Sequence, residues 1–262
     1  MQETFVVLAA LSLVLGVQCA PQKVISVTLD SKWSSTPLHL EASEFFAEES
    51  NDHFWRFVSD FQNVDLATFS NSTPKAQYET VLEVASKHLS PAKLALLKLS
   101  LSLRSHSPAV ETFQQAARDK GFPADCDFIL EVRGGGHFCD LDKLDQVLQN
   151  LDDSARLYTY KMDHFYAGSP NPQLPLVILY GDLGAKGFRR FHEALQKRAQ
   201  DKQISYILRH FVKAPCARKV RLSGYGVELA IKSTEYKAQD DTKVKGGFGA
   251  MAHMQHLCSP SL

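Results

Sequence analysis

The chain has 262 residues, 44 % of them hydrophobic, and its 29 Lys plus Arg balance 29 Asp plus Glu. That is enough to bury one substantial core, or one core with an added subdomain, and the composition is globular, not disordered. With no net charge and no basic stripe, the chain lacks the electrostatic footprint that neutralises phosphates, so no nucleic-acid partner is expected.

The first element is an apolar run, Phe5 to Val17, leading into the small-residue exit Val17-Gln18-Cys19-Ala20. It reads as a secretory signal peptide covering residues 1–19, cut after Cys19 because a cut one residue later would leave Pro21 first. A membrane span is the competing reading, but the run is shorter than the ~20 residues a bilayer core requires, and no later segment qualifies. Cys126, Cys139, Cys216 and Cys258 then enter an oxidising compartment. The sequon Asn71-Ser72-Thr73 fits the same lumenal route and makes Asn71 the candidate glycosylation site, with Pro74 directly after it lowering occupancy.

After the signal, Val24 to Leu29 alternates apolar and polar residues, predicting a half-buried strand that ends by Trp33. Ser35-Thr36-Pro37, Thr73-Pro74, Ser90-Pro91 and Ser107-Pro108 each place a capping hydroxyl before a proline suited to the first helical position. They predict a helical insertion over about residues 36–120. Within it Phe54, Phe57, Val58 and Phe61 recur at helical spacing, as do Leu82, Ala85 and Leu89, and Leu96, Leu99 and Leu103. These stripes are read as core, because helices of this length need a buried face to be stable.

From Cys126 onward, strand and helix alternate. Phe128 to Val132 predicts a strand, Leu141 to Leu151 a helix, and Leu157 to Tyr160 a second, edge strand. The apolar run Leu176 to Tyr180 suits a strand buried on both faces. A helix over Ala185 to Lys202 follows, with Phe188, Phe191, Leu195 and Ala199 on one side, then a strand over Ile204 to Phe211 and a further strand or hairpin at Val227 to Ile231. The pattern is that of an α/β sandwich. Cys126 and Cys139 bracket a strand-like run and three glycines, the shape of a chain that reverses on itself, and are expected to pair as a disulfide. A zinc site using Cys126, His137 and Cys139 is the alternative, although it lacks a fourth ligand and any C-x-x-C spacing.

Few motifs suggest chemistry. Asp140-Leu141-Asp142 has the D-x-D spacing of a metal-diphosphate site, but its position before an amphipathic run reads as a helix cap followed by a first-turn carboxylate. Gly134-Gly135-Gly136-His137 is not followed by Gly-Lys-Ser/Thr, and Gly224-Tyr225-Gly226 lacks the third glycine of a dinucleotide fingerprint. Asp240-Asp241 sits in a polar connector, Thr234 to Lys245. The histidines, among them His53, His88, His106, His137, His164, His192 and His210, share no metalloprotease spacing, and no G-x-S-x-G elbow occurs. No catalytic residue and no metal-ligating set is assigned.

Several segments together resemble the N-terminal region of the UDP-glucose:glycoprotein glucosyltransferase family. They are Lys32-Trp33 with Ser35-Thr36-Pro37-Leu38, Leu40 to Phe45, Leu101-Ser102-Leu103-Arg104-Ser105, Phe113-Gln114-Gln115, Tyr206-Ile207-Leu208-Arg209-His210 and the block from Leu222 to Lys245. The resemblance implies a thioredoxin-like sandwich over residues 20–245 with the helical insertion after its first strand. It also implies that Cys126 and Cys139 occupy the places of a family cysteine pair. In a redox-active thioredoxin, a C-x-x-C pair stands where the central strand meets the next helix. Here that junction is Tyr180-Gly181-Asp182-Leu183-Gly184, with no thiol, so disulfide exchange there is chemically excluded.

The family acts in the endoplasmic reticulum lumen, where it reglucosylates misfolded glycoproteins using UDP-glucose and a divalent cation. Its N-terminal domains are linked to folding sensing. By this resemblance the chain is expected to be a truncated or partial enzyme whose partners are misfolded glycoproteins and the remaining domains. It would bind no cofactor itself and be inactive alone, and no client-contact residue is singled out. Gly246 to Leu262 departs from the family pattern and reads as a divergent, unstructured tail. A stand-alone lumenal module that holds unfolded glycoproteins through apolar surface on the helical insertion is the rival expectation.

Overall fold

The computed structural model describes residues 28–222, apart from 124, 153, 154, 156, 157, 169 and 170. The expected signal peptide, most of the Val24 to Leu29 strand, Leu157, Gly224-Tyr225-Gly226, the Val227 to Ile231 run, Asp240-Asp241, Cys258 and the 246–262 tail lie outside the described residues.

The first strand, β1 (Asp30–Ser35), is followed by six helices: α1 (Leu38–Glu49), α2 (Asn51–Phe61), α3 (Leu66–Asn71), α4 (Pro74–Ser86), α5 (Pro91–Leu103) and α6 (Ser107–Asp119). A hairpin, β2 (Ile129–Val132) and β3 (Gly136–Phe138), comes next, then a 3-10 turn at Leu141–Lys143 and the short α7 (Leu144–Leu148). The described residues close with β4 (His164–Phe165), β5 (Leu176–Gly181), α8 (Phe188–Gln200), β6 (Ser205–His210) and β7 (Cys216–Arg221). The expected α/β sandwich is present. The main sheet has the order β3-β2-β5-β6-β4, with β5 and β6 parallel around the α8 crossover and the other pairs antiparallel. The first strand stands apart from this sheet in a two-stranded ribbon with β7.

Strand alternation divides the core. Leu130, Val132, Val177, Leu179, Tyr206 and Leu208 point into a large core shared with α8 and the helical block. Ile129, Leu176, Ile178, Tyr180 and Ile207 point to a smaller core on the opposite face, against Ala117 of α6. The aromatic stripe of α2 is buried as expected, and Trp55 and Asn51 of the same helix donate to the Phe165 carbonyl at 2.8 and 2.6 Å, tying the helical block to β4.

Several expectations need correction. Thr73 and Ser90 cap α4 and α5 by accepting from Ala76 and Lys93 N–H groups. Thr36 and Ser107 do not cap. Their hydroxyls bond to each other at 2.8 Å within a buried cluster that also holds Glu41, Arg104 and the Trp33 indole. Side chains with a buried charge to satisfy outcompeted the local cap.

On α5 the leucines Leu96 and Leu99 are 57 % and 54 % exposed and Leu103 is half-buried, while Leu97 and Leu101 face the core. This helix is apolar on most sides, so its periodicity offers two faces and only packing against α1 and α4 chooses between them.

The segment expected as an edge strand near Tyr158 to Tyr160 forms no strand. Its backbone is held by side chains instead: the Tyr158 carbonyl accepts from Arg209 at 2.9 Å, and the Tyr160 N–H donates to Asp163 at 2.7 Å. The helix expected over Leu141 to Leu151 shortens to the 3-10 turn plus α7. The helix expected from Ala185 starts at Phe188, after Gly187 takes φ of 106°.

Candidate functional site

In open α/β sheets, ligands and catalytic groups gather at the carboxyl ends of the parallel strands. Here Gly181 ends β5 and His210 ends β6, directly opposite each other in register. Helix α1 lies across this edge and supplies His39, Ser43 and Glu44, all buried.

Two linked groups result. His39 Nε2 bonds to Asp182 Oδ1, which also accepts the Gly184 N–H at 2.8 Å. The His39 ring stacks on Phe61 and meets Phe69 edge-on, with centroids 5.3 and 5.4 Å apart. A Cβ at Gly184 would lie 2.8 Å from His39 Nε2, so this close approach depends on glycine. Next to this pair, Glu44 Oε1 lies 2.7 Å from both His164 Nε2 and His210 Nε2. Ser43 Oγ is 3.2 Å from His210 Nε2, and Phe54 stacks on His164 with centroids 3.8 Å apart.

Burial pushes the Glu44 carboxyl up, but the two imidazoles more than offset this and hold it well below the usual carboxylate range. Burial also raises Asp182, and the charge and hydrogen bond of His39 bring it below its ordinary value. For His210 burial dominates and lowers the imidazole, against the opposing pull of Glu44.

As folded, this arrangement holds elements together and is closed to substrate. The Glu44, His164 and His210 side chains are 7 %, 7 % and 0 % exposed, which leaves no room for a substrate atom to reach them. No thiol stands at residues 180–184, and Cys126, Cys139 and Cys216 are all disulfide-bonded, so no free thiol exists among the described residues. The position where a redox thioredoxin carries its cysteines is filled by the docking of α1.

The cysteine expectation holds. Cys126 and Cys139 form a disulfide with Cα atoms 5.8 Å apart, which removes the zinc alternative with His137. Asn71 is exposed at the last residue of α3, its amide donating to the Ala67 carbonyl at 2.9 Å. Asp140 accepts the Asp142 N–H at 3.1 Å as a cap, and Asp142 pairs with Arg190 at 3.0 Å, so both D-x-D carboxylates have structural partners. Gly134 takes φ of 77° in a turn where a Cβ would meet the Asp152 carbonyl at 2.2 Å, as a tight turn requires.

Sequence reasoning missed the Glu44, His164 and His210 cluster because its members lie on three elements with no shared spacing. The only local signal was the adjacency of Arg209 and His210, which a strand sends to opposite faces. A groove of about 1220 Å³ between the ribbon and α4 and α5 is lined by Lys98, Lys219 and Arg221 together with Tyr78 and Leu101. No helix among the described residues is long and apolar enough to cross a membrane.

The sequence profile of a thioredoxin-like domain family matches residues 35–219. The chain is 46 % identical over 227 residues to UDP-glucose:glycoprotein glucosyltransferase 1 of Mus musculus, covering 87 % of this chain and 14 % of that protein. It is 44 % identical over 241 residues to the corresponding Homo sapiens protein, covering 92 % and 15 %. With UDP-glucose:glycoprotein glucosyltransferase of Drosophila melanogaster it shares 38 % over 243 residues, covering 90 % and 16 %. It therefore spans about one seventh of the length of these curated relatives.

Proposed function

Since the chain belongs to the thioredoxin-like domain family, and matches part of the UDP-glucose:glycoprotein glucosyltransferases, we propose that it serves as a redox-inactive folding-sensor domain of such an enzyme in the endoplasmic reticulum lumen. Its clients would be misfolded glycoproteins, and glucose transfer from UDP-glucose would depend on other domains of a longer enzyme. The observation that carries this reading is the 46 % identity over 227 residues, combined with a redox position closed by α1. A domain whose thiol position is closed in this way has surface recognition left as its contribution.

The test incubates the purified chain with UDP-glucose, a divalent cation and a denatured high-mannose glycoprotein, and in parallel measures binding of denatured and native forms. Preferential binding of the denatured form with no glucose transferred supports the reading. Appreciable transfer, or equal binding of both forms, overturns it.

The rival, a stand-alone module that holds unfolded glycoproteins, draws on Leu96 and Leu99, which stand exposed on one face of α5. Exchanging both for serine separates the readings, since only the rival expects binding to collapse. Asn71 is proposed as an N-glycosylation site. Chain secreted from a eukaryotic cell should lose an endoglycosidase-sensitive mass increment in Asn71→Gln, and an unchanged mass would exclude it.

A further inference from the structure

We propose that Glu44, His164 and His210 form a binding site for one zinc-class divalent cation, which joins the helical block to the edge of the main sheet.

The donors come from three separate elements, α1, β4 and β6, and converge without any exposed surface between them. Each offers one ligand atom, and the three lie within 4.8 Å of one another. Two imidazoles and one carboxylate are a set that zinc takes in sites with three protein ligands, and imidazole donors disfavour calcium or magnesium. Tetrahedral zinc bonds of about 2.0–2.2 Å would place the donor atoms about 3.3–3.6 Å apart, so the two imidazole nitrogens must each move away from Glu44 Oε1, 2.7 Å from both, by about 0.6–0.9 Å. Ser43 Oγ lies beside the cluster, 3.2 Å from His210 Nε2, with its hydroxyl donating to the Leu40 carbonyl at 2.8 Å.

One feature sets the strength of the site. His210 Nδ1 is buried without a hydrogen-bond partner. Ligating imidazoles ordinarily donate their second N–H, and loss of such a partner weakens metal sites by about 10–100-fold. The cation is therefore expected to be retained, but less tightly than in a zinc site with a complete outer shell.

The experiment treats the full chain with chelator, adds zinc chloride, removes excess by gel filtration, and counts the metal kept. The expected result is one zinc per chain and a melting temperature that rises with zinc concentration. In Glu44→Gln and His164→Gln, retention should fall at least tenfold. X-ray absorption of the zinc-loaded wild-type chain decides the matter even if a variant fails to fold, and two imidazoles with oxygen donors are expected. No retained zinc, a sulfur-containing shell, or undiminished retention in folded variants overturns the proposal.

Discussion

Arg209 and Asp163 pair inside the smaller core through two parallel hydrogen bonds, Nε to Oδ1 and Nη2 to Oδ2, each 2.7 Å, with neither side chain exposed. The third guanidinium nitrogen donates to the Tyr180 hydroxyl at 2.6 Å, and that hydroxyl donates to Glu131 at 3.1 Å. One fork thus holds β6, β5, β2 and the segment around Tyr158 together. Arginine suits this place because its planar donors match a carboxylate in two bonds at once.

Removing one member of this pair leaves a buried charge without a partner. Asp163→Ala should cost about 3–5 kcal/mol in chemical denaturation. The double exchange Arg209→Met with Asp163→Leu should cost clearly less, because no charge is stranded. Equal losses in the two variants would show that packing, not charge pairing, dominates.

Gly184 is the second sensitive position, because the His39 and Asp182 contact at the β5–α8 junction leaves no space for a side chain. Gly184→Ala is expected to destabilise by about 1–3 kcal/mol, the usual range for overpacking a filled site. Combining it with His39→Ala, which vacates the space, should recover part of the loss. A loss that persists undiminished in the combination would place the strain in the backbone.

The Cys126–Cys139 disulfide closes a loop with a sequence separation of 13 and pins the β2–β3 hairpin. Loop-entropy reasoning puts its contribution at about 3 kcal/mol. The Cys126→Ser, Cys139→Ser pair should therefore unfold at lower denaturant with its sheet otherwise intact by circular dichroism. No change in midpoint would mean that the unfolded chain is equally restricted without the bond.

His192 governs a pH response. Burial between Trp55 and Phe188 lowers its imidazole to about 4, and the Tyr206 hydroxyl lies 3.1 Å from its Nδ1. The folded value is below the unfolded one of about 6.5, so between pH 6.5 and 4 the unfolded chain holds the extra proton and folding weakens as pH falls. The contribution, complete above pH 6.5, is roughly 3 kcal/mol at its limit. His192→Asn should flatten the stability profile across that window, whereas an unchanged slope would assign it to other groups.

How much of this was legible beforehand differs from residue to residue. Leu176 to Tyr180 announced a buried strand because a continuous apolar run at that length has few other uses, and the Thr73-Pro74 and Ser90-Pro91 starts held because nothing nearby competed for their hydroxyls. Thr36 and Ser107 carried the same local signal and were drawn into the Glu41 and Arg104 cluster, which only folding assembles. The face of α5 was undecided for a related reason, since Leu96, Leu97, Leu99 and Leu101 differ only in what packs against them.

From the amino-acid sequence alone come the α/β class, the helical insertion, the missing thiols at residues 180–184 and the likeness to the glucosyltransferases, because each rests on local pattern or residue identity. Tertiary structure alone decided that α1 seats on the end of the parallel pair and brings Glu44 to His164 and His210. Those side chains are 120 and 166 positions from Glu44 along the chain. Contacts over such separations are set by how helices and sheet share a core, and no spacing rule in the chain encodes them.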